Sequence, residues 1–154
     1  MFTKKSSLKA TLVAFLAVSL LALSSCSLIS NVFSNSDADS LEGTWVCSGS
    51  YGTDSYVITD KKVIYKYEGA YTSDYNYTIE YTIADFGDGY IYVSNEEKFY
   101  AISYKDLTET SVSLSNAYKE TGKTSEDSLK AAKKEFTVEN GYFEYYGTYT
   151  KQTN

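Results

Sequence analysis

The chain has no histidine, no arginine and no proline, and its 154 residues include only two cysteines and one tryptophan. Each absence removes a class of chemistry. Without imidazole there is no Ser-His-Asp triad, no Cys-His pair and no histidine ligand for a metal. Without guanidinium there is no planar fork to hold a carboxylate or phosphate by two parallel hydrogen bonds. A formal charge of −6, with lysine as the only basic residue, argues against nucleic acid as a partner, because its binders neutralise phosphates with clustered Lys and Arg.

What is present begins with a compact N-terminal pattern. Lys4, Lys5 and Lys9 precede Ala10–Leu23, an uncharged run that only Thr11 and Ser19 interrupt with polar groups. A positive segment followed by an apolar one reads as an export signal. As a helix, this run would span roughly 21 Å, short of the ~30 Å hydrocarbon core, so the sequence predicts removal rather than a permanent span. Leu23-Ser24-Ser25-Cys26 resembles the lipobox of bacterial lipoproteins. That resemblance implies cleavage before Cys26, a diacylglyceryl group on its thiol and often acylation of the new amino terminus. Two or more acyl chains, at about 0.8 kcal/mol per buried CH₂, hold a protein permanently on a bilayer. Ser27 is not the aspartate that retains Gram-negative lipoproteins of this kind at the inner membrane. The implied default is therefore the outer membrane, or the outer surface of the membrane in a host with one. The bland alternative is a plain secretory signal with an incidental cysteine.

The implied cut divides the chain into 1–25, the removed signal; 26–40, the lipidated cysteine and a flexible tether; and 41–154, one domain. Eleven lysines then face twenty carboxylates, leaving the mature chain at −9. With Cys26 acylated, Cys47 has no partner for an intrachain disulfide. Residues 27–40, SLISNVFSNSDADS, would reach roughly 20 Å as a coil, although Leu28, Ile29, Val32 and Phe33 leave an extra strand or short helix open.

Beyond residue 41 the pattern has period two. Tyr75, Tyr77, Ile79, Tyr81 and Ile83 share one face of a strand, and Asn76, Thr78, Glu80 and Thr82 the other, the alternation of a half-buried antiparallel strand. Further strands are predicted at about 43–49, 54–59, 62–68, 90–95, 98–104, 109–115 and 142–150, rich in β-branched and aromatic residues. Thr59-Asp60-Lys61-Lys62, Gly87-Asp88-Gly89 and Asn95-Glu96-Glu97 are short polar turns that suit hairpins. One segment departs from the pattern. Thr124 or Ser125 suits an N-cap, Glu126 and Asp127 a helix N-terminus, and Leu129, Ala132 and Phe136 recur at helical spacing, giving an amphipathic helix of about twelve residues packed on the sheet, with contact to a membrane as the alternative. Eight strands in a meander would leave two edges, and closure into an antiparallel barrel removes them. The predicted fold is all-β, an eight-stranded barrel with one short helix before the last strand.

Gly43-Thr44-Trp45 resembles the Gly-x-Trp start of the lipocalin and fatty-acid-binding families, whose tryptophan closes one end of the barrel. The terminal YYGTYTK is similar to the closing strand of small lipocalin-like lipoproteins. The resemblance implies a calycin-like barrel in which Gly43 and Trp45 close an end. It also departs from those families: the arginine that lipocalins stack over the tryptophan, and the arginine with which fatty-acid-binding proteins clamp a carboxylate, are both missing. Tyr149 and Lys151 remain on the last strand, and lysine is a point charge rather than a fork.

Seventeen tyrosines need partners for their hydroxyls wherever they are buried. Tyr65, Tyr67, Tyr75, Tyr77, Tyr81 and Tyr149 are the candidate ligand-binding residues, lining either a cavity or a filled core. Tyr90, Tyr92, Tyr100, Tyr104, Tyr142, Tyr145 and Tyr146 cannot all be inside, so part of them should form an exposed aromatic face. Cys47, two residues after Trp45, reads as a small buried hydrophobe. Asp85, Asp88, Glu96 and Glu97 around one hairpin read as solvated turn residues rather than a glycosidase pair. Asp85-x-x-Asp88-Gly89 lacks the spacing of a calcium loop, and nothing in the chain points to a metal or cofactor. Two readings follow: a lipid-anchored protein binding a small apolar or aromatic ligand, or a non-enzymatic structural or interaction lipoprotein, an adhesin or inhibitor, with a solid barrel and a tyrosine-rich outer face. An enzyme ranks behind both.

Overall fold

The computed structural model of the protein describes residues 40–87 and 89–153. The signal, Cys26, the tether up to residue 39 and Asp88 lie outside the described residues. Eight strands run in sequence: β1 (Gly43–Gly49), β2 (Gly52–Ile58), β3 (Lys62–Gly69), β4 (Tyr77–Gly87), β5 (Tyr90–Asn95), β6 (Lys98–Lys105), β7 (Ser111–Asn116) and β8 (Gly147–Lys151). Every pairing is antiparallel between sequence neighbours, and β1 pairs with β8 to close the barrel. A short helix, α1 (Leu129–Glu135), precedes β8. The period-two pattern and the polar turns thus yield the meander they predict.

Alternation fills the interior. Trp45, Tyr56, Ile58, Val63, Ile91, Val93, Ile102, Val112 and Leu114 are buried in one cluster, with Leu41 plugging the end where the strand β1 begins. In β4 the register slips between Ile83 and Asp85. This bulge switches which residues face inward: Phe86 joins the core, and Asp85 turns outward to pair with Lys133 of α1. Bulges re-aim side chains in this way.

A second cluster lies on the outer face of β5 and β6. Tyr92, Ala101, Ala132, Phe136, Tyr142 and Phe143 are buried there, with Tyr90, Phe99, Leu129 and Tyr146 half covered. The helix is therefore packed on the sheet, through the apolar stripe that its spacing predicts. It is shorter than expected, seven residues, and its N-cap is Ser128, whose hydroxyl accepts from the Ala131 N–H. Thr124 and Ser125 do not cap it, because Glu126 exchanges backbone bonds with Phe99 at 2.8 and 3.0 Å. An extended chain at Glu126 cannot also be the first turn of a helix.

The last strand also differs from expectation, starting at Gly147 rather than 142. Tyr142 and Phe143 are both buried, which alternation forbids, since they wrap over α1 and the barrel wall instead. Tyr142 Oη donates to Glu135 at 2.7 Å and accepts from the Lys123 N–H at 2.9 Å. Most of the surplus tyrosines are thus covered by this outer layer, and of the seven named for an exposed face only Tyr145 is fully exposed. Nor do Asp85, Glu96 and Glu97 share one end of the barrel. The β4–β5 turn and the β5–β6 turn are separated by the six residues of β5, roughly 20 Å.

Candidate functional site

Strand direction defines two ends. The floor carries the start of β1, the β2–β3 turn, the β6–β7 loop and the end of β8; the mouth carries the β1–β2 turn, the β3–β4 loop, the β5–β6 turn and the entrance to β8.

At the floor, the Trp45 indole N–H donates to the Leu41 carbonyl at 2.7 Å, so the largest core side chain is fully buried with its polar atom satisfied. Lys151, opposite Trp45 in the β1–β8 register, lays its ammonium 5.0 Å from the indole centroid. Gly43 makes the arrangement possible. A Cβ there would come within 2.6 Å of Lys151 Cε, and its φ of 136° is one that other residues rarely adopt. At this end of the barrel Trp45 and Leu41 are fully buried, and the Lys151 stem lies across Gly43.

The mouth is built from tyrosines. On the inward faces of neighbouring strands, Tyr56 pairs with Tyr65, and Tyr67 with Tyr77. The Tyr56 and Tyr65 ring centroids are 4.9 Å apart, Tyr65 and Tyr77 5.7 Å, and Tyr67 and Tyr77 5.7 Å. Tyr149 meets Tyr56 edge-on at 5.2 Å. Tyr65 Oη donates to the Asp54 carboxylate, and Tyr67 Oη to the Tyr51 carbonyl at 3.0 Å. Among the described residues, no buried side-chain nitrogen or oxygen lacks a partner.

Two clefts open here, of about 510 and 380 Å³. The larger is walled by Tyr65, Tyr67, Tyr75 and Tyr77 with Asp54 and Asp74; the smaller reaches Cys47, Tyr56, Asn116 and Tyr149 and shares Asp54 and Tyr65 with the first. Of the six predicted tyrosines, five line a cleft. Tyr81 lines neither of these two: it lies edge-on to Tyr100 at 5.5 Å, further along β4. Tyr75 reaches the cleft by a different route from the one expected. It belongs not to β4 but to a 3-10 turn, Ser73–Tyr75, capped by Thr72, and stands 69% exposed on the rim. The Asn76 side chain accepts the Gly69 N–H at 2.8 Å, which holds this loop closed and delays the start of β4 to Tyr77.

Sequence reasoning missed Asp54. Its signal was legible: Asp54 is in phase with Tyr56 and Ile58, and an acid on an apolar strand face is the anomaly that marks a site.

Burial dominates the electrostatics of the mouth. It raises the Tyr56 hydroxyl well above its usual range, with the neighbouring phenols and Asp54 adding to the effect. Tyr65 is raised first by burial and then by its bond to Asp54. Tyr149 is raised by burial and by the Asp54 charge. The Cys47 thiol is pushed up by burial and then by Asp54; it is half-buried at the cleft rather than the fully buried small hydrophobe expected.

Comparison with protein-family models, with curated proteins and with solved structures finds no match to this chain. What the structure establishes is a closed eight-stranded antiparallel barrel with a packed floor and a tyrosine-walled mouth. Among the described residues, no helix is long and apolar enough to cross a membrane, and no three His, Cys, Asp or Glu side chains stand together as a metal site.

Proposed function

We propose that this chain is a lipid-anchored, lipocalin-like binding protein of the cell envelope that takes a small apolar or aromatic ligand into the mouth of its barrel. The observation that carries this reading is the pair of clefts meeting at Asp54 and Tyr65, large enough for a small molecule and walled by aromatic rings with a few polar groups. Leu23-Ser24-Ser25-Cys26 supports anchoring through Cys26, on the cell membrane or outer membrane, with the barrel exposed to the periplasm or the cell surface. In this reading the protein binds its ligand without converting it: the hydroxyl–carboxylate pair at the mouth, Tyr65 with Asp54, has its phenol pushed up by burial and by that carboxylate, which disfavours a tyrosinate nucleophile.

A second reading is favoured by one observation. Tyr51, Tyr71 and Tyr145 are 80%, 83% and 73% exposed, and such rings suit contact with a protein partner. In that reading the chain is an adhesin or an inhibitor.

Native mass spectrometry of protein extracted from its own membranes tests both. The first reading expects a co-purifying small molecule that Tyr65→Ala releases, and a mass of acyl chains that Cys26→Ala removes together with the membrane fraction. An empty barrel that captures an envelope protein through Tyr51, Tyr71 or Tyr145 overturns it in favour of the second.

A further inference from the structure

We propose that the mouth of the barrel recognises an organic cation, an alkylammonium group carrying a short apolar or aromatic substituent. This rests on the proposed ligand-binding role and names the ligand's chemical class.

Three observations converge. The first is a cage of ring faces: Tyr65, Tyr67 and Tyr77 pack with centroids 5.7 Å apart at angles of 62° and 35°, so that they present differently tilted π-surfaces to the larger cleft. Such surfaces attract cations through the negative face of the ring. The second is charge. Asp54 lies where both clefts meet, Asp74 joins it on the rim, and no lysine lines either cleft. Six lysines pair with carboxylates elsewhere, at Asp60, Glu68, Glu80, Asp85, Glu126 and Asp127, and none pairs with Asp54 among the described residues.

The third is how the protein deploys its other ammonium groups. Lys105 covers Tyr146, Lys119 covers Tyr142, Lys133 covers Tyr92 and Lys151 covers Trp45. Those rings form the outer layer and the floor. Among the described residues, the rings of the mouth have no such internal cation. A half-buried carboxylate beneath uncovered aromatic faces is a site for a cation brought from outside.

Other ligand classes fit less well. An anionic ligand would meet Asp54 and Asp74 with no positive group to compensate. A neutral apolar ligand would strip water from Asp54 and put nothing in its place, which disfavours it. An ammonium group replaces that water with opposite charge, while its alkyl or aromatic substituent reaches the apolar side of Tyr56 and Tyr149. Beyond the site itself, residues 41–154 hold eleven lysines against eighteen carboxylates, so the domain's field steers cations toward it.

Titration calorimetry of the intact protein with three probes of similar size tests the inference: benzyltrimethylammonium, its neutral isostere neopentylbenzene, and phenylacetate. The cation should bind at least about tenfold more tightly than the neutral isostere, more weakly as salt is raised, and phenylacetate not at all. Asp54→Asn should bring the cation-to-neutral ratio close to one. Tyr77→Leu, a change at a half-exposed position, should weaken the cation several-fold while leaving the carboxylate in place. Equal or tighter binding of neopentylbenzene would overturn the cation class and leave the ligand-binding reading standing. Binding of none of the three below millimolar concentration would overturn both.

Discussion

At the floor of the barrel, Trp45, Leu41, Ile58 and Val63 are wholly buried and the one polar atom among their side chains has its partner. At the mouth, a few residues further along the same strands, the inward positions are Tyr65, Tyr67, Tyr77, Asp54 and Cys47, half open to solvent. Both ends use inward-facing aromatic residues on a closed sheet, yet they differ in what completes the packing. Lys151 and Leu41 finish the floor from within the chain, and nothing among the described residues finishes the mouth. The difference separates the part of the interior that supplies stability from the part available for binding.

Truncation at each end should break the comparison most sharply if it is wrong. Trp45→Ala removes a fully buried indole and strands the Leu41 carbonyl, and should cost about 3–5 kcal/mol in urea unfolding. Tyr77→Ala removes a ring that is 48% exposed and should cost less than ~1 kcal/mol. Equal losses from the two substitutions would show that the mouth is as much a part of the core as the floor.

The floor was the more legible end in the sequence. Period-two faces identified every strand, and the one tryptophan, Trp45, falls at the packed end, because local alternation suffices to place both. The sequence marks Lys151 as a point charge on the last strand, but not that it lies over Trp45. That contact depends on β1–β8 pairing between residues more than a hundred positions apart, which no local pattern encodes. The mouth was legible in its rings and not in its boundaries. Tyr75 matched the alternation of β4, but Thr72 and Asn76 form side-chain bonds to the nearby backbone that fold the segment into a turn first. Tyr142 matched β8 and was drawn instead to the outer face of β5 and β6, where α1 leaves an apolar surface to cover. In both cases the period was right and a competing tertiary or capping interaction took the residue.

Alkaline titration sharpens the comparison from the mouth side. Tyr56, Tyr65 and Tyr149 all have hydroxyls raised above the ordinary tyrosine value near 10. The unfolded chain therefore loses these protons at lower pH than the folded one. Their contribution to stability is fully present below pH ~10 and declines as pH rises above it, at about 1.4 kcal/mol per pH unit for each group that stays protonated in the fold. Tyrosinate absorbance near 295 nm should show these three ionising only as the far-ultraviolet circular dichroism is lost. Ionisation of all three near pH 10 with the fold intact would mean that the mouth is wetter than its geometry indicates.

A smaller effect probes how the floor is finished. Lys151→Met keeps an unbranched stem across Gly43 and removes the charge over the indole, so it should cost about 1 kcal/mol and alter the Trp45 fluorescence, while Lys151→Arg should restore most of the loss. The glycine beneath that stem separates two causes. Gly43→Ala forces a side chain into a backbone region that disfavours it and also presses a methyl group on Lys151 Cε. The first cost is independent of Lys151, and the second disappears when the lysine is cut back. Gly43→Ala should thus cost a few tenths of a kcal/mol less in a Lys151→Ala background than alone. A coupling of zero would assign the whole requirement for glycine to its φ of 136°, and would mean that the lysine stem can shift away from the methyl without loss.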